Sequence, residues 1–135
     1  MKAFLIDPEA ETITEVDVAG DITAWRQLLG CADITLGALP LGSSPNGEVF
    51  DMLFVDADTL EDDDDPKAWF LLRDYHEPPL SVLAHGRALV AGANMDGEPE
   101  AVVMGLEELI HCVEFMKVRA PCSVIEDIVR SGGRP

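Results

Sequence analysis

Apolar and polar positions follow two rhythms along this chain, and the rhythms locate most of its elements. Residues 3–6 (Ala-Phe-Leu-Ile) form an unbroken apolar run closed by Asp7-Pro8. Such a run reads as a strand covered on both faces. Residues 12–18 alternate instead: Thr14, Val16 and Val18 fall on one side, Glu15 and Asp17 on the other. That is a half-covered strand, and with the first run it predicts a hairpin turning at residues 9–11. Asp21 then offers an N-cap. Behind it Ile22, Trp25, Leu28 and Leu29 share one helical face, and Gly30 supplies the stop. The reading is a short helix over 22–29 that lays Trp25 on the sheet.

Alternation returns at Ile34, Leu36 and Ala38 and is broken by Pro40. Residues 41–47 (Leu-Gly-Ser-Ser-Pro-Asn-Gly) are rich in chain-turning types and read as a loop. Residues 49–55 are strongly apolar with Asp51 inside, a strand; residues 56–66 read as an exposed acidic loop. A strand over 68–73 carries Trp69 and Phe70 and is broken at His76-Glu77-Pro78-Pro79. A short strand over 88–91 lies between Gly86 and Gly92. Asn94-Met95-Asp96-Gly97 is a hairpin signal, because Asp-Gly tolerates the positive φ that tight turns need, and residues 101–104 are its expected partner strand.

Residues 105–110 read as one helical turn and 111–118 as an alternating strand. The rival is a single helix over 106–116, since Leu106, Leu109, Ile110, Val113 and Met116 also keep helical spacing. Ser123 and Glu126 form a capping box that opens a helix over 123–131 with a stripe of Val124, Ile125, Ile128 and Val129. The sum is a single α+β domain over residues 1–135. Its core covers about 1–118 and its sheet is mostly antiparallel, with about seven or eight strands and two or three short helices.

Composition bounds the function classes. Of 135 residues 47% are hydrophobic, too many for a disordered acidic tail and enough for one core. No run approaches the roughly 18 apolar residues of a membrane span, and Met1-Lys2 leads straight into a strand-like run rather than a leader. The expectation is a cytoplasmic protein with no membrane partner. The 26 acids and 9 bases give a net charge of −17, concentrated in residues 1–66, which hold 16 acids and 2 bases. Direct binding to nucleic acid is disfavoured, because it relies on Lys and Arg displacing counterions. The matching partners are cationic: basic proteins, divalent metals, or proteins that grip DNA. The plain alternative is that the charge serves solubility alone. Cys31, Cys112 and Cys122 are odd in number and lack C-x-x-C spacing, so they read as buried structural thiols in a reducing compartment.

Taken in order, Ile6-Asp7-Pro8, the alternating residues 12–18, the segment from Ile22 to Gly30, Gly86-Arg-Ala-Leu-Val-Ala-Gly92 and Asp96-Gly97 make a pattern. Leu106-Glu-Glu-Leu109 and Val113-Glu-Phe115 close it. The pattern resembles a small family of uncharacterised proteins encoded largely by phages, plasmids and their bacterial hosts. The likeness covers roughly residues 1–116. It implies a mobile-element context and carries over no catalytic residue. The 62–65 run and the 123–131 helix look like additions of this member.

Glu61, Asp62, Asp63, Asp64 and Asp65 are the most conspicuous constellation. An extended chain rises roughly 3.3–3.6 Å per residue, close to the roughly 3.4 Å spacing of phosphates along a DNA strand. Together with Asp56 and Asp58, these carboxylates are the expected partner-binding residues, able to occupy a basic groove built for nucleic acid; the plain reading is a solvated loop. Asp56-x-Asp58 begins like a calcium loop, but Leu60 and Glu61 stand at positions five and six, and the required glycine and final glutamate are missing. His76 near Asp74, Glu77 and His85, and His111-Cys112 with Cys122, match no zinc spacing. Ser43-Ser44 has no nucleophile elbow, and residues 86–92 have no phosphate-loop lysine. No catalytic residue, metal or cofactor is therefore expected. Trp69 and Phe70, adjacent on a strand, would point to opposite faces, and an uncovered ring there would be a dimer contact.

Three functions compete. The first is an acidic, non-enzymatic binding protein, an inhibitor or DNA-mimicking decoy of a basic host protein. The second is a small-molecule binder or enzyme with a pocket between helix 22–29 and the sheet. The third is a structural homo-oligomer, a homodimer in the simplest case.

Overall fold

The structure is a computed structural model that describes residues 1–30, 34–36, 42–56, 68–74 and 80–116. In chain order its elements are β1 (Lys2–Asp7), β2 (Thr12–Asp17), α1 (Ile22–Leu29), β3 (Ile34–Leu36), β4 (Gly42–Ser43) and β5 (Val49–Asp56). They continue with β6 (Trp69–Asp74), β7 (Leu80–His85), β8 (Ala88–Asn94), β9 (Pro99–Glu100), α2 (Leu106–Cys112) and β10 (Val113–Phe115). The larger sheet runs β2-β1-β8-β5-β3, with β4 also paired to β5 and β9 to β8; a second sheet runs β10-β6-β7. Every ladder is antiparallel. This is the mostly antiparallel α+β arrangement that the alternating and continuous apolar runs predict.

The central strands explain their own sequences. On β1, Ala3 and Leu5 face one way and Phe4 and Ile6 the other; on β8, Leu89 and Ala91 oppose Ala88 and Val90. Both faces are covered, which is why residues 3–6 of β1 and 88–93 of β8 include no polar side chain. One face meets α1 through Trp25 and Leu29. The other face meets the second sheet and α2, where Phe4, Ile6, Leu53 and Val90 pack with Phe70, Leu72, Ala84 and Leu109. The molecule is thus layered as helix, sheet, and sheet with helix.

Local chemistry sets the turns and helix ends. The Asp7 carboxylate accepts the N–H groups of Glu9 and Ala10 at 3.1 and 3.3 Å, closing the β1–β2 hairpin. Asp21 accepts the Ala24 N–H at 2.9 Å as N-cap of α1, and Gly30 ends that helix with φ at 68°. Ser44 Oγ accepts the N–H groups of Glu48 and Val49, both at 3.1 Å, and sets the turn between β4 and β5.

Several expectations need correction. Residues 80–85, unassigned by the alternation argument, form β7, because pairing with β6 along Trp69↔His85 to Asp74↔Leu80 satisfies their backbone. Residues 42–43 are a short strand beside β5 rather than loop. Residues 101–104 are not a strand: the ladder with β8 is confined to Pro99 and Glu100, after which the chain leaves the sheet and Val102 N–H bonds to Lys2 O at 2.9 Å. His111 and Cys112 close α2, and the strand after it is only Val113–Phe115. Trp69 is 5% exposed and packs edge-on to His85, with ring centroids 4.8 Å apart, so it is no open dimer contact. Cys112 packs against the core but is half-buried, not buried as expected. The expected helix over 123–131, Cys31 and Cys122 lie outside the described residues.

At Gly92 in β8 the neighbouring backbone comes too close for a side chain. A Cβ there would stand 2.6 Å from Ala101 O, 2.9 Å from Val49 Cγ1 and 3.0 Å from Glu100 O. Two of the three obstacles are main-chain atoms, which cannot swing aside. Gly92→Ala is expected to cost about 1–3 kcal/mol by overpacking. Urea unfolding would show a lower midpoint with an unchanged slope; an unchanged midpoint would mean that β9 shifts freely.

Candidate functional site

Of the residues expected to bind a partner, the structure positions only Asp56, the last residue of β5, paired with Ile34. Asp58, Glu61, Asp62, Asp63, Asp64 and Asp65 lie outside the described residues, as does His76. The register still shows where the acidic run begins. Because β5 and β8 are antiparallel and β8 and β1 likewise, Asp56 ends at the same end of the sheet as the 8–11 turn. Two strand spacings, about 10 Å, separate β5 from β1. That turn carries exposed Glu9 and Glu11 beside Asp7.

The remaining described carboxylates are spread more widely. Glu48, Asp96 and Glu98 are exposed at the opposite end of the sheet, and Glu107 and Glu108 on α2. Three described cations each meet an acid: Arg73 with Glu114 at 2.6 Å, Arg87 with Asp7 at 3.6 Å and Lys2 with Glu15 at 3.8 Å. These exposed pairs add little stability but remove positive charge from the surface field. The Asp17 carboxyl is held below its ordinary value by a 2.8 Å hydrogen bond from the Met1 ammonium and by its charge.

Asp51 is the one fully buried charged side chain among the described residues. On β5 it shares a face with Leu53 and Val55, so it points into the core between the sheets. Its two oxygens accept the N–H groups of Val103 and Met104, each at 2.7 Å. Both oxygens are thus engaged by main-chain donors just ahead of α2. The geometry is that of a latch holding the 101–105 segment.

Among the described residues no group of three or more His, Cys, Asp or Glu side chains is placed to hold a metal ion. His111 Nδ1 lies 2.7 Å from Glu107 O within α2. His111 and Cys112 are the last two residues of α2.

A groove of about 430 Å³ opens on the α1 side of the larger sheet. Phe50, Met52 and Phe54 line it from β5, and Ala93, Asn94 and Met95 from the end of β8, with Gly97 at its margin. The groove does not lie between helix 22–29 and the sheet, the expected place of a pocket; its lining holds no residue of the helix, which is tightly seated. Trp25 packs on Phe54 with ring centroids 4.9 Å apart and donates its indole N–H to Ala19 O at 2.8 Å. The groove begins where the helix leaves off. The eight residues of α1 span about 12 Å, whereas the eight of β5 run about 27 Å. This signal is present in the chain: Phe50, Met52 and Phe54 make one face of residues 49–55 wholly apolar, and the helix predicted to cover it is too short.

No family model, curated protein or solved structure matches this chain. No described helix is long and apolar enough to cross a membrane.

Proposed function

We propose that this protein is an acidic binding protein that engages a basic surface of another protein through its carboxylates. One observation carries the reading. A net charge of −17 is worn by a body whose described exposed carboxylates stand at both ends of the sheet and on α2, while Lys2, Arg73 and Arg87 are taken up in pairs. A field of one sign steers a cationic partner from a distance and gives binding that falls steeply with salt. The resemblance to proteins of phages and plasmids is in keeping with a decoy or inhibitor aimed at a host protein that handles nucleic acid. In this reading Asp56, Asp58 and Glu61 to Asp65 supply the contact. Of these, Asp56 ends β5 at the end of the sheet that bears Asp7, Glu9 and Glu11.

The test is neutralisation. With Asp62, Asp63, Asp64 and Asp65 replaced by Asn, capture of basic host proteins and of poly-lysine at low salt is expected to fall at least tenfold. Wild-type binding should itself vanish at high salt, as screening shortens the reach of the field. Capture that survives both the substitutions and high salt would reject the reading.

A further inference from the structure

The groove beside α1 pairs an apolar floor with an acidic border. Phe50, Met52 and Phe54 occupy alternate positions of β5 over about 14 Å, and Met95 stands at the end of the floor with 75% of its surface exposed. Two of these four side chains are methionines, whose unbranched, polarizable chains repack around different shapes. The border is supplied by the same turns. Asp96 and Glu98 flank Gly97 and are exposed, and exposed Glu48 directly precedes the residue of β5 that pairs with Asn94. No residue in 48–54 or 93–100 is basic. The polar group at the groove, Asn94, is already engaged. Its Oδ1 accepts the N–H groups of Asp96 and Glu98, both at 2.9 Å, and its Nδ2 donates to Glu100 at 3.3 Å.

We propose that this groove receives an amphipathic basic segment of the partner protein. Apolar side chains would lie on Phe50, Met52, Phe54 and Met95, and Lys or Arg would meet Asp96, Glu98 and Glu48. A floor of about 14 Å matches about two and a half helical turns, which present anchors at i, i+4 and i+7. An uncharged small molecule would use the floor and leave the border idle; an acidic segment would be repelled by it. The proposal rests on the reading above and names the segment by which the partner is held.

The experiment titrates the full chain with a synthetic helical peptide of Leu and Lys, Leu at i, i+4 and i+7. Peptide anisotropy and Trp25 emission are followed, the latter because Trp25 touches Phe54 at the groove. Binding is expected for the Leu/Lys peptide and not for its Leu/Glu counterpart. The dissociation constant should rise at least tenfold in Met95→Ser and in the Asp96→Asn, Glu98→Gln pair. These positions are exposed, so an unchanged melting temperature verifies that the variants fold. Equal binding of the two peptides, or binding that Met95→Ser leaves intact, overturns the proposal. So does a dimer in sedimentation that Met95→Ser dissolves, which would give the groove to a second copy. Uptake of the neutral dye Nile red without peptide binding would give it to a small apolar molecule and is equally fatal. Poly-lysine separates the two levels: if poly-lysine binds and the Leu/Lys peptide binds no better, the groove assignment falls and the broader reading stands. If neither binds, both fall.

Discussion

Replacing Asp51 with alanine is expected to lower stability by about 3–5 kcal/mol, the worth of two hydrogen bonds to a charged acceptor. The estimate follows from the site. Both oxygens of a fully buried carboxylate accept main-chain N–H groups at 2.7 Å. Truncation leaves the N–H groups of Val103 and Met104 without their acceptors, the Met104 bond being the buried one of the two. In a domain of this size the loss corresponds to a fall of about 10–20 °C in melting temperature. Asp51→Asn keeps one acceptor and turns an NH₂ toward the second N–H, so it should fall between alanine and wild type. Hydrogen exchange supplies the local readout, since the amides of Val103 and Met104 should lose protection first. A change of less than about 1 kcal/mol on truncation would show that the 101–105 segment holds its place without the latch.

Trp25→Ala should be comparably severe, at about 3–5 kcal/mol. Trp25 is buried against Ala3, Leu89 and Ala91, rests on Phe54 and ties its indole N–H to Ala19 O. An isolated helix of eight residues does not hold in water, so α1 exists because this ring and Leu29 are buried. Trp25→Phe keeps most of the buried area and loses the hydrogen bond, which should cost only about 1 kcal/mol beyond the volume change. Equilibrium unfolding separates the variants, and Trp25→Ala should also raise Nile red uptake, because Phe54 is then uncovered. If the alanine and phenylalanine variants are equally stable, ring burial is not what seats the helix.

How far the chain discloses this fold depends on whether an element carries its own signal. Residues 3–6 do, because a strand covered on both faces must be apolar at every position. Helix α1 does, because Asp21 and Gly30 are both needed at its ends and both are present. The 94–97 hairpin does, through Asp96-Gly97. Strand β7 does not: the turn-rich residues before it mask a run whose identity depends on its ladder with β6. Residues 106–116 carry two periods at once, and the structure divides them, seven residues to α2 and three to β10. Leu109 faces the core from the helix, whereas β10 is held by a ladder to Leu72, Leu71 and Phe70. Only that distant partner decides where one period yields to the other.

The candidate site divides in the same way. The acidic run is plain in the residues because charge needs no tertiary context to be seen, although only its first member, Asp56, has a described place in a strand. The groove was hidden because Phe50, Met52 and Phe54 look like core residues, and only the ratio of helix length to strand length shows that their face is partly bare. Asp51 reads in the sequence as an irregularity within an apolar strand. Its partners, the N–H groups of Val103 and Met104, lie 52 and 53 residues further on and leave no mark in the residue types.

The strand order β1-β8-β5 has a consequence for synthesis. The strand that joins β1 to β5 is the eighth in chain order, so a growing chain cannot complete its main sheet until residue 94 has left the ribosome. Until then β1 and β5 each expose a bare, apolar edge, the kind that invites pairing with another nascent chain. The strands that wait for β8 lie in residues 1–66, which hold 16 acids and 2 bases, and like charges on neighbouring nascent chains oppose the pairing of those edges while β8 is still being made.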